Sequence, residues 1–202
     1  MKKILIAASV GMLLAGQVAA QESPWLVRAR AVYLDMANKD SVAGGALNLN
    51  VDNKTLPEVD ISYFFNKNVA AELILTVPQK QHVYSGSTDL GTFKHLPPTL
   101  LAQYHFTNFT GYKPYVGAGV NLTFINKESI TTNGTNKVTL SNDSVGMALQ
   151  AGVDIPLTKQ LSLNFDVKKV QLKTRVYIDG AEQTGHLKLD PVLVGVGVGY
   201  RF

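Results

Sequence analysis

The sequence predicts an all-β protein, an eight-stranded antiparallel transmembrane β-barrel with short periplasmic turns and long extracellular loops. Three observations carry that prediction. Segments of about ten residues alternate apolar and polar side chains with a period of two, the pleat of a β-strand. The apolar face of these segments carries no charge, whereas the opposite face is rich in Arg, Lys, Asp and Glu. The connections alternate between short and long, as in an outer-membrane barrel.

The first strand starts at Trp25, with Trp25, Val27, Ala29, Ala31 and Tyr33 on one face and Arg28 and Arg30 between them. The second sets Val59, Ile61, Tyr63 and Phe65 against Glu58, Asp60, Ser62 and Phe64. In the third, Val69, Ala71, Leu73, Leu75 and Val77 oppose Ala70, Glu72, Ile74 and Thr76. The fourth opposes Leu100, Ala102, Tyr104 and Phe106 to Thr99, Leu101, Gln103 and His105. Pro114, Val116, Ala118, Val120, Leu122 and Phe124 mark the fifth, against Tyr115, Gly117, Gly119, Asn121 and Thr123. Val145, Met147, Leu149, Ala151, Val153 and Ile155 mark the sixth, with Ala148, Gln150, Gly152 and Asp154 between them. The seventh pairs Leu161, Leu163, Phe165 and Val167 with Ser162, Asn164, Asp166 and Lys168, and the eighth runs from Val192 to Phe202. After Lys168-Lys169 the pattern moves by one residue, so that Val170 and Leu172 continue the apolar face through a bulge. Connections at 66–68, 107–111 and 158–160 are short. Those at 37–56, 78–96, 126–144 and 178–187 are long and polar, with turn signals at Asn133-Gly134 and Asp179-Gly180.

The first 20 residues stand outside this pattern. Lys2 and Lys3 precede an apolar run from Ile4 to Gly16, and Gln17-Val18-Ala19-Ala20 supplies small residues at a cleavage site. Residues 1–20 are therefore expected to be a secretory signal peptide, and residues 21–202 a single barrel domain. The full chain has 202 residues with 19 Lys+Arg against 15 Asp+Glu. Without the leader the basic residues fall to 17, so the pI near 9.2 gives little support to a nucleic-acid partner. The absence of Cys removes disulfide frameworks and thiol chemistry. A mean hydropathy of +0.06 is the average of a greasy outside and a polar inside.

Charge decides which face is outside. A lipid-facing surface rejects Lys or Arg by about 2–4 kcal/mol at mid-bilayer. The charged face must enclose the interior and the uncharged face must meet lipid. A soluble two-layer sandwich is the competing architecture, but it does not predict aromatic rings at one shared depth. Tyr63, Phe65, Tyr104, Phe106, Tyr200 and Phe202 all fall where strands approach the short turns, and Trp25 starts beside them. They are expected to form a girdle at the periplasmic membrane interface. The terminal Phe202, with Tyr200 two residues before it, also resembles the signal read by the barrel-assembly machinery during insertion.

Eight strands leave an interior that side chains fill or that holds one small ligand. Sorted by height, Arg28, His105, Lys113, Asp154 and Arg201 lie low and are expected to pair into a periplasmic-side plug. Val32, Leu34, Ile74, Leu101, Leu189 and Leu193 lie higher, with Lys168 among them, and are expected to line an apolar pocket. The four His lack ligand spacing, so no metal or other cofactor is expected. His82, Ser85 and Asp89 share one external loop and are the residues a lipid-modifying enzyme would use there. Such residues are ordinarily just solvated, and the chain is expected not to be an enzyme.

The chain resembles the OmpW family of outer-membrane proteins over essentially its whole mature length. The resemblance rests on Leu96-Pro97-Pro98-Thr99-Leu100, Gln103-Tyr104-His105-Phe106 and Lys113-Pro114-Tyr115-Val116-Gly117-Ala118-Gly119-Val120-Asn121. Asn68-Val69-Ala70-Ala71-Glu72-Leu73 and Gly199-Tyr200-Arg201-Phe202 add to it. It implies a hydrophobic lumen, closed below, that binds or passes small hydrophobic molecules and releases them sideways into the bilayer. The chain departs from the family pattern at Val145, at Val192 and at Lys168, where a relative carries an aromatic gate residue. Three functions follow as expectations: a hydrophobic-ligand barrel, a plugged structural or adhesive barrel acting through its loops, and a lipid-modifying enzyme. Outer-membrane lipids and lipopolysaccharide are the expected surroundings in a Gram-negative bacterium.

Overall fold

The computed structural model describes residues 23–132 and 136–202. The expected signal peptide and the Asn133-Gly134 turn lie outside the described residues. Eight strands form the barrel: β1 (Trp25–Asp35), β2 (Lys54–Phe64), β3 (Val69–Thr76), β4 (Thr99–His105), β5 (Lys113–Thr132), β6 (Asp143–Pro156), β7 (Leu161–Val170) and β8 (Val192–Arg201). Each pairs antiparallel with its neighbour in the chain. β1 also pairs with β8, from Leu26 opposite Arg201 to Asp35 opposite Val192, so the sheet closes without an exposed edge.

Burial follows the predicted alternation. Leu100 is 52% exposed whereas Leu101 beside it is 1% exposed, which fixes the lipid-facing and inward faces of β4. The outward face stays apolar from the aromatic ring at the short-turn end up to Tyr33, Leu75, Leu122, Val167 and Val194. From Trp25 to Tyr33 this is about nine residues, the length a tilted strand needs to cross a bilayer. The rings at the lower rim pack edge to face: Trp25 on Tyr63 at 4.9 Å, Tyr104 on Phe106 at 5.1 Å and Tyr200 on Phe202 at 5.1 Å.

Two expectations are corrected. Lys168-Lys169 holds no bulge, because pairing of β7 with β6 and β8 runs unbroken through both residues. Lys168 points inward, Lys169 outward, and Val170 and Leu172 are buried inside the barrel. The side chains did not change face; the interior changed polarity at that height. Lys169, with Asp35 on β1, marks where the outer surface emerges from lipid.

The long connections, expected as polar loops, are largely strands. Gln79–Ser85 and Thr88–Leu96 form a hairpin that pairs with Leu49–Val51 on one side and the upper part of β5 on the other. The irregular registers lie here, between Val83 and Tyr84 and between Thr92 and Lys94. Asn136–Leu140 joins β5 to Val176–Ile178. Lys39–Asp40, Lys173–Thr174 and Leu187–Lys188 make a small separate sheet. These pieces are ordered by burial: Val42, Leu49, Val83, Phe93, Val138, Val176 and Leu187 form one apolar cluster continuous with Val32 and Leu34 of β1. Gly185 sits where this cap is tight, at φ 90°, and a Cβ there would lie 1.9 Å from the Ser41 carbonyl oxygen.

Candidate functional site

The interior divides into a charged floor and an apolar upper half. The floor is built on Arg28 and Arg30, which project inward from β1 because they alternate with its lipid-facing residues. Arg28 is fully buried and makes a two-pronged contact with Asp154, donating Nε to Oδ1 at 3.1 Å and Nη2 to Oδ2 at 2.7 Å. Its Nη1 donates to Asp60 at 3.1 Å, Ser62 at 3.1 Å and Glu72 at 3.2 Å. Arg30 reaches Glu58 at 3.3 Å, Glu72 at 2.9 Å and Asp166 at 3.1 Å, and also contacts Asp60. Lys168 tops the network, with Nζ 2.6 Å from Glu58 and 2.9 Å from Asp166. Five strands contribute: the arms to Asp60 and Glu58 join neighbouring strands, and those to Glu72, Asp154 and Asp166 span the lumen.

Neutral groups extend the network. Tyr115 donates its hydroxyl to Asp166 at 3.2 Å and accepts from Asn164 at 3.0 Å, while its ring lies under the Arg28 guanidinium at 5.2 Å. Gly152 makes room for that ring, since a Cβ there would be 2.4 Å from it. Gln150 donates to Glu72 at 2.9 Å and accepts from Gln103 at 2.8 Å. His105 lies 3.0 Å from Gln103 and stacks on Tyr115 at 4.9 Å.

The predicted plug residues therefore separate. Arg28, Asp154 and His105 belong to this assembly. Arg201 lies below it, over the Phe64 ring at 4.3 Å and donating Nε to Ser23 O at 2.9 Å. Lys113 lines the wide vestibule of about 1060 Å³ at the periplasmic mouth rather than the network. Lys113 stands opposite Asp154 in the pairing of β5 with β6, and both line that vestibule with Arg201. Arg30, Glu58, Asp60, Glu72 and Asp166 carry the floor instead, together with Tyr115, Gln103, Gln150 and Asn164. Their signal was inward parity one and two residue pairs above the rim.

Above the floor, Ile74 and Leu101 pack with Ala148 and Val170, and Leu193 touches both this cluster and the upper one containing Val32 and Leu34. A narrow cavity of about 40 Å³ lies between them, bordered by Leu34, Ile74 and Leu193, with Glu58 and Lys168 beneath. Lys168 does not stand free in this space; its charge is held in the floor. At Pro97-Pro98, between the hairpin and β4, the chain stays joined to β5 through the Pro98 carbonyl, which accepts from Leu122 N at 2.9 Å, but it offers no N–H of its own. Proline has no N–H to give a ladder, and Asn121 instead donates to the Pro97 carbonyl at 3.3 Å.

The comparisons agree with this architecture. The OmpW family model matches residues 15–202. The chain belongs to the OmpW family. A Sinorhizobium fredii (strain NBRC 101917 / NGR234) relative, named uncharacterized outer-membrane protein y4mB, is 40% identical over 191 residues, covering 92% of this chain and 82% of its own. Outer membrane protein W of Escherichia coli (strain K12) is 32% identical over 216 residues and is covered end to end, as is this chain. A Pseudomonas aeruginosa relative named dibenzothiophene metabolism operon protein PahQ is 28% identical over 94% of this chain and 93% of its own. Among solved structures, the outer membrane protein OprG of Pseudomonas aeruginosa has the same fold, with a TM-score of 0.78 at 24% identity, over 92% of this chain and 99% of OprG. This OmpW-family barrel is an outer-membrane protein.

Proposed function

We propose that this OmpW-family barrel binds or conducts small hydrophobic molecules through its apolar upper lumen and releases them sideways into the outer membrane. The observation that carries the reading is the polarity step at Lys168, an apolar chamber standing on a closed ionic floor. A water channel would not be lined by Ile74, Leu101, Val32, Leu34 and Leu193, and a through-pore would not be crossed by Arg28 and Arg30. An apolar ligand entering from outside cannot cross buried charge without large desolvation. The wall at Pro97-Pro98, where the ladder lacks donors, offers it a shorter route into lipid. The PahQ relative's name, tied to metabolism of an aromatic sulfur heterocycle, supports the same ligand class.

Replacing Ile74 or Leu101 with Asp is expected to lower uptake of an apolar probe by cells at least fivefold while the barrel still inserts. Heat-shifted mobility of the purified variants checks insertion. Normal uptake by folded variants overturns the reading.

The tightness of the cavity favours one other reading, a plugged structural or adhesive barrel whose extracellular strands are its working surface. Under that reading, Ile74→Asp is silent, and deletion of the hairpin Gln79–Ser85 with Thr88–Leu96 abolishes surface binding. No catalytic role is proposed. His82 Nδ1 lies 2.8 Å from Asp89, but the Ser85 hydroxyl donates to the Leu47 carbonyl at 2.7 Å, and the hairpin surface around His82 is exposed. Lipid contacts of the aromatic girdle, and recognition of Phe202 during assembly, belong to the same proposal.

A further inference from the structure

Two polar side chains in the extracellular part of the lumen are buried with nothing to bond to. Gln81 is fully buried, and neither its amide nitrogen nor its oxygen has a partner. His95 is 3% exposed, and both its ring nitrogens are without a partner. Pairing in the hairpin sets Gln79 opposite His95 and Gln81 opposite Phe93. Gln81 and His95 are thus diagonal neighbours on the inner face, about 7–8 Å apart across the two strands. His95 also borders the apolar cavity beside Leu34, Met36, Leu56 and Leu193. Native interiors leave very few such groups unbonded, and those that remain ask for a functional account.

The chemistry on offer is specific. A glutamine amide donates and accepts. Burial, with Lys54 nearby and only Asp52 opposing, pushes His95 down to about 4, so at neutral pH its ring presents one donor and one acceptor. The ions bordering the same cavity, Glu58 and Lys168, are already bonded to each other at 2.6 Å. A free carboxylate or ammonium would find no unpaired counter-charge bordering the cavity, whereas a hydroxyl matches a donor–acceptor pair.

We propose that the upper lumen selects small apolar molecules bearing one hydroxyl, seated between Gln81 and His95 with the hydrocarbon body among Leu34, Leu56 and Leu193. This rests on the hydrophobic-ligand reading and narrows it to alcohols and phenols. The apolar wall supplies affinity in proportion to area. The two polar groups supply discrimination, because a site built to bond a hydroxyl is left unpaired by its hydrocarbon analogue.

The test uses benzyl alcohol and ethylbenzene, which differ by a hydroxyl in place of a methyl. The full barrel in lipid nanodiscs is titrated calorimetrically with each, after subtracting partition into empty discs. The wild type is expected to bind benzyl alcohol at least as tightly as ethylbenzene, although transfer from water alone favours the hydrocarbon. The double variant Gln81→Leu with His95→Phe is expected to lose at least tenfold for benzyl alcohol and to change less than twofold for ethylbenzene. His95→Gln, which keeps a donor and an acceptor, is expected to retain most of the affinity and also serves if the double variant does not fold. Ethylbenzene preferred by the wild type, or equal losses for both probes in the variant, overturns the hydroxyl selection alone. A wild type that binds neither probe overturns the hydrophobic-ligand reading with it.

Discussion

Arg28→Met is expected to destabilise the barrel by about 3–5 kcal/mol, the usual cost of removing one partner from a buried ionic cluster. Methionine keeps most of the buried stem, so the loss reports the guanidinium. Without it, Asp154 loses a two-pronged partner, and Asp60 and Glu72 lose one of their two arginines. Asp60 and Glu72 remain fully buried in the lumen, where an uncompensated charge has no water to turn to. Arg28→Lys is expected to recover only part of the loss, because a single ammonium cannot replace a planar fork that serves Asp154 with two nitrogens and Asp60, Ser62 and Glu72 with a third. The chain's single tryptophan, Trp25, stands on the lipid-facing rim and reports unfolding directly. Urea titration of the barrel folded into phospholipid vesicles, followed by Trp25 emission, measures the difference. A change below about 0.5 kcal/mol would mean that the cluster only breaks even against its own desolvation.

The same residues show how far the sequence was legible. Alternation alone placed all eight strands, because lipid forbids charge on one face so strictly that the other face becomes visible by contrast. Depth was legible only at the rim, where Trp25, Tyr63, Tyr104 and Tyr200 mark a boundary by their chemistry. Inside, the height of a residue is set by strand tilt and stagger, which no local pattern records. Lys113 and Arg201 were therefore grouped with Arg28 and Asp154, though they line the periplasmic vestibule and not the core of the network, and Arg30 with Glu72 was left out of it. Lys168-Lys169 misled for a related reason. A strand that leaves the bilayer and passes from a charged to an apolar interior looks, residue by residue, like one that slips its register. Above the membrane both faces of a strand can be polar, and contrast disappears. Gln81 and His95 sit in such a stretch, so only the folded hairpin shows that they share an inner face.

Depth also controls the second large effect. Val196→Arg is expected to cost about 2–4 kcal/mol and Val192→Arg about 0–1 kcal/mol, although both place one arginine on the outward face of β8. Val196 is 46% exposed and stands between Ala31 of β1 and Phe165 of β7, both lipid-facing, near the middle of the apolar band. An arginine there cannot reach either interface without dragging water or headgroups inward. Val192 stands between Asp35 and Lys169, the first outward charges above the band. There a guanidinium reaches Asp35 and the lipid headgroups together. The same vesicle titration reads both variants against wild type. In a soluble sandwich the two sites would be comparable exposed positions, and the substitutions would differ little. Equal costs would therefore move the membrane boundary away from Asp35 and Lys169. The floor and the boundary are thus coupled: the polarity step inside the barrel falls at the height where charge first becomes permissible outside. An apolar ligand held just above Lys168 sits level with the headgroups of the outer leaflet, separated from them by one layer of strand. In the function proposed, sideways release needs no movement of the ionic floor, only parting of the wall where Pro97 and Pro98 leave the ladder without donors.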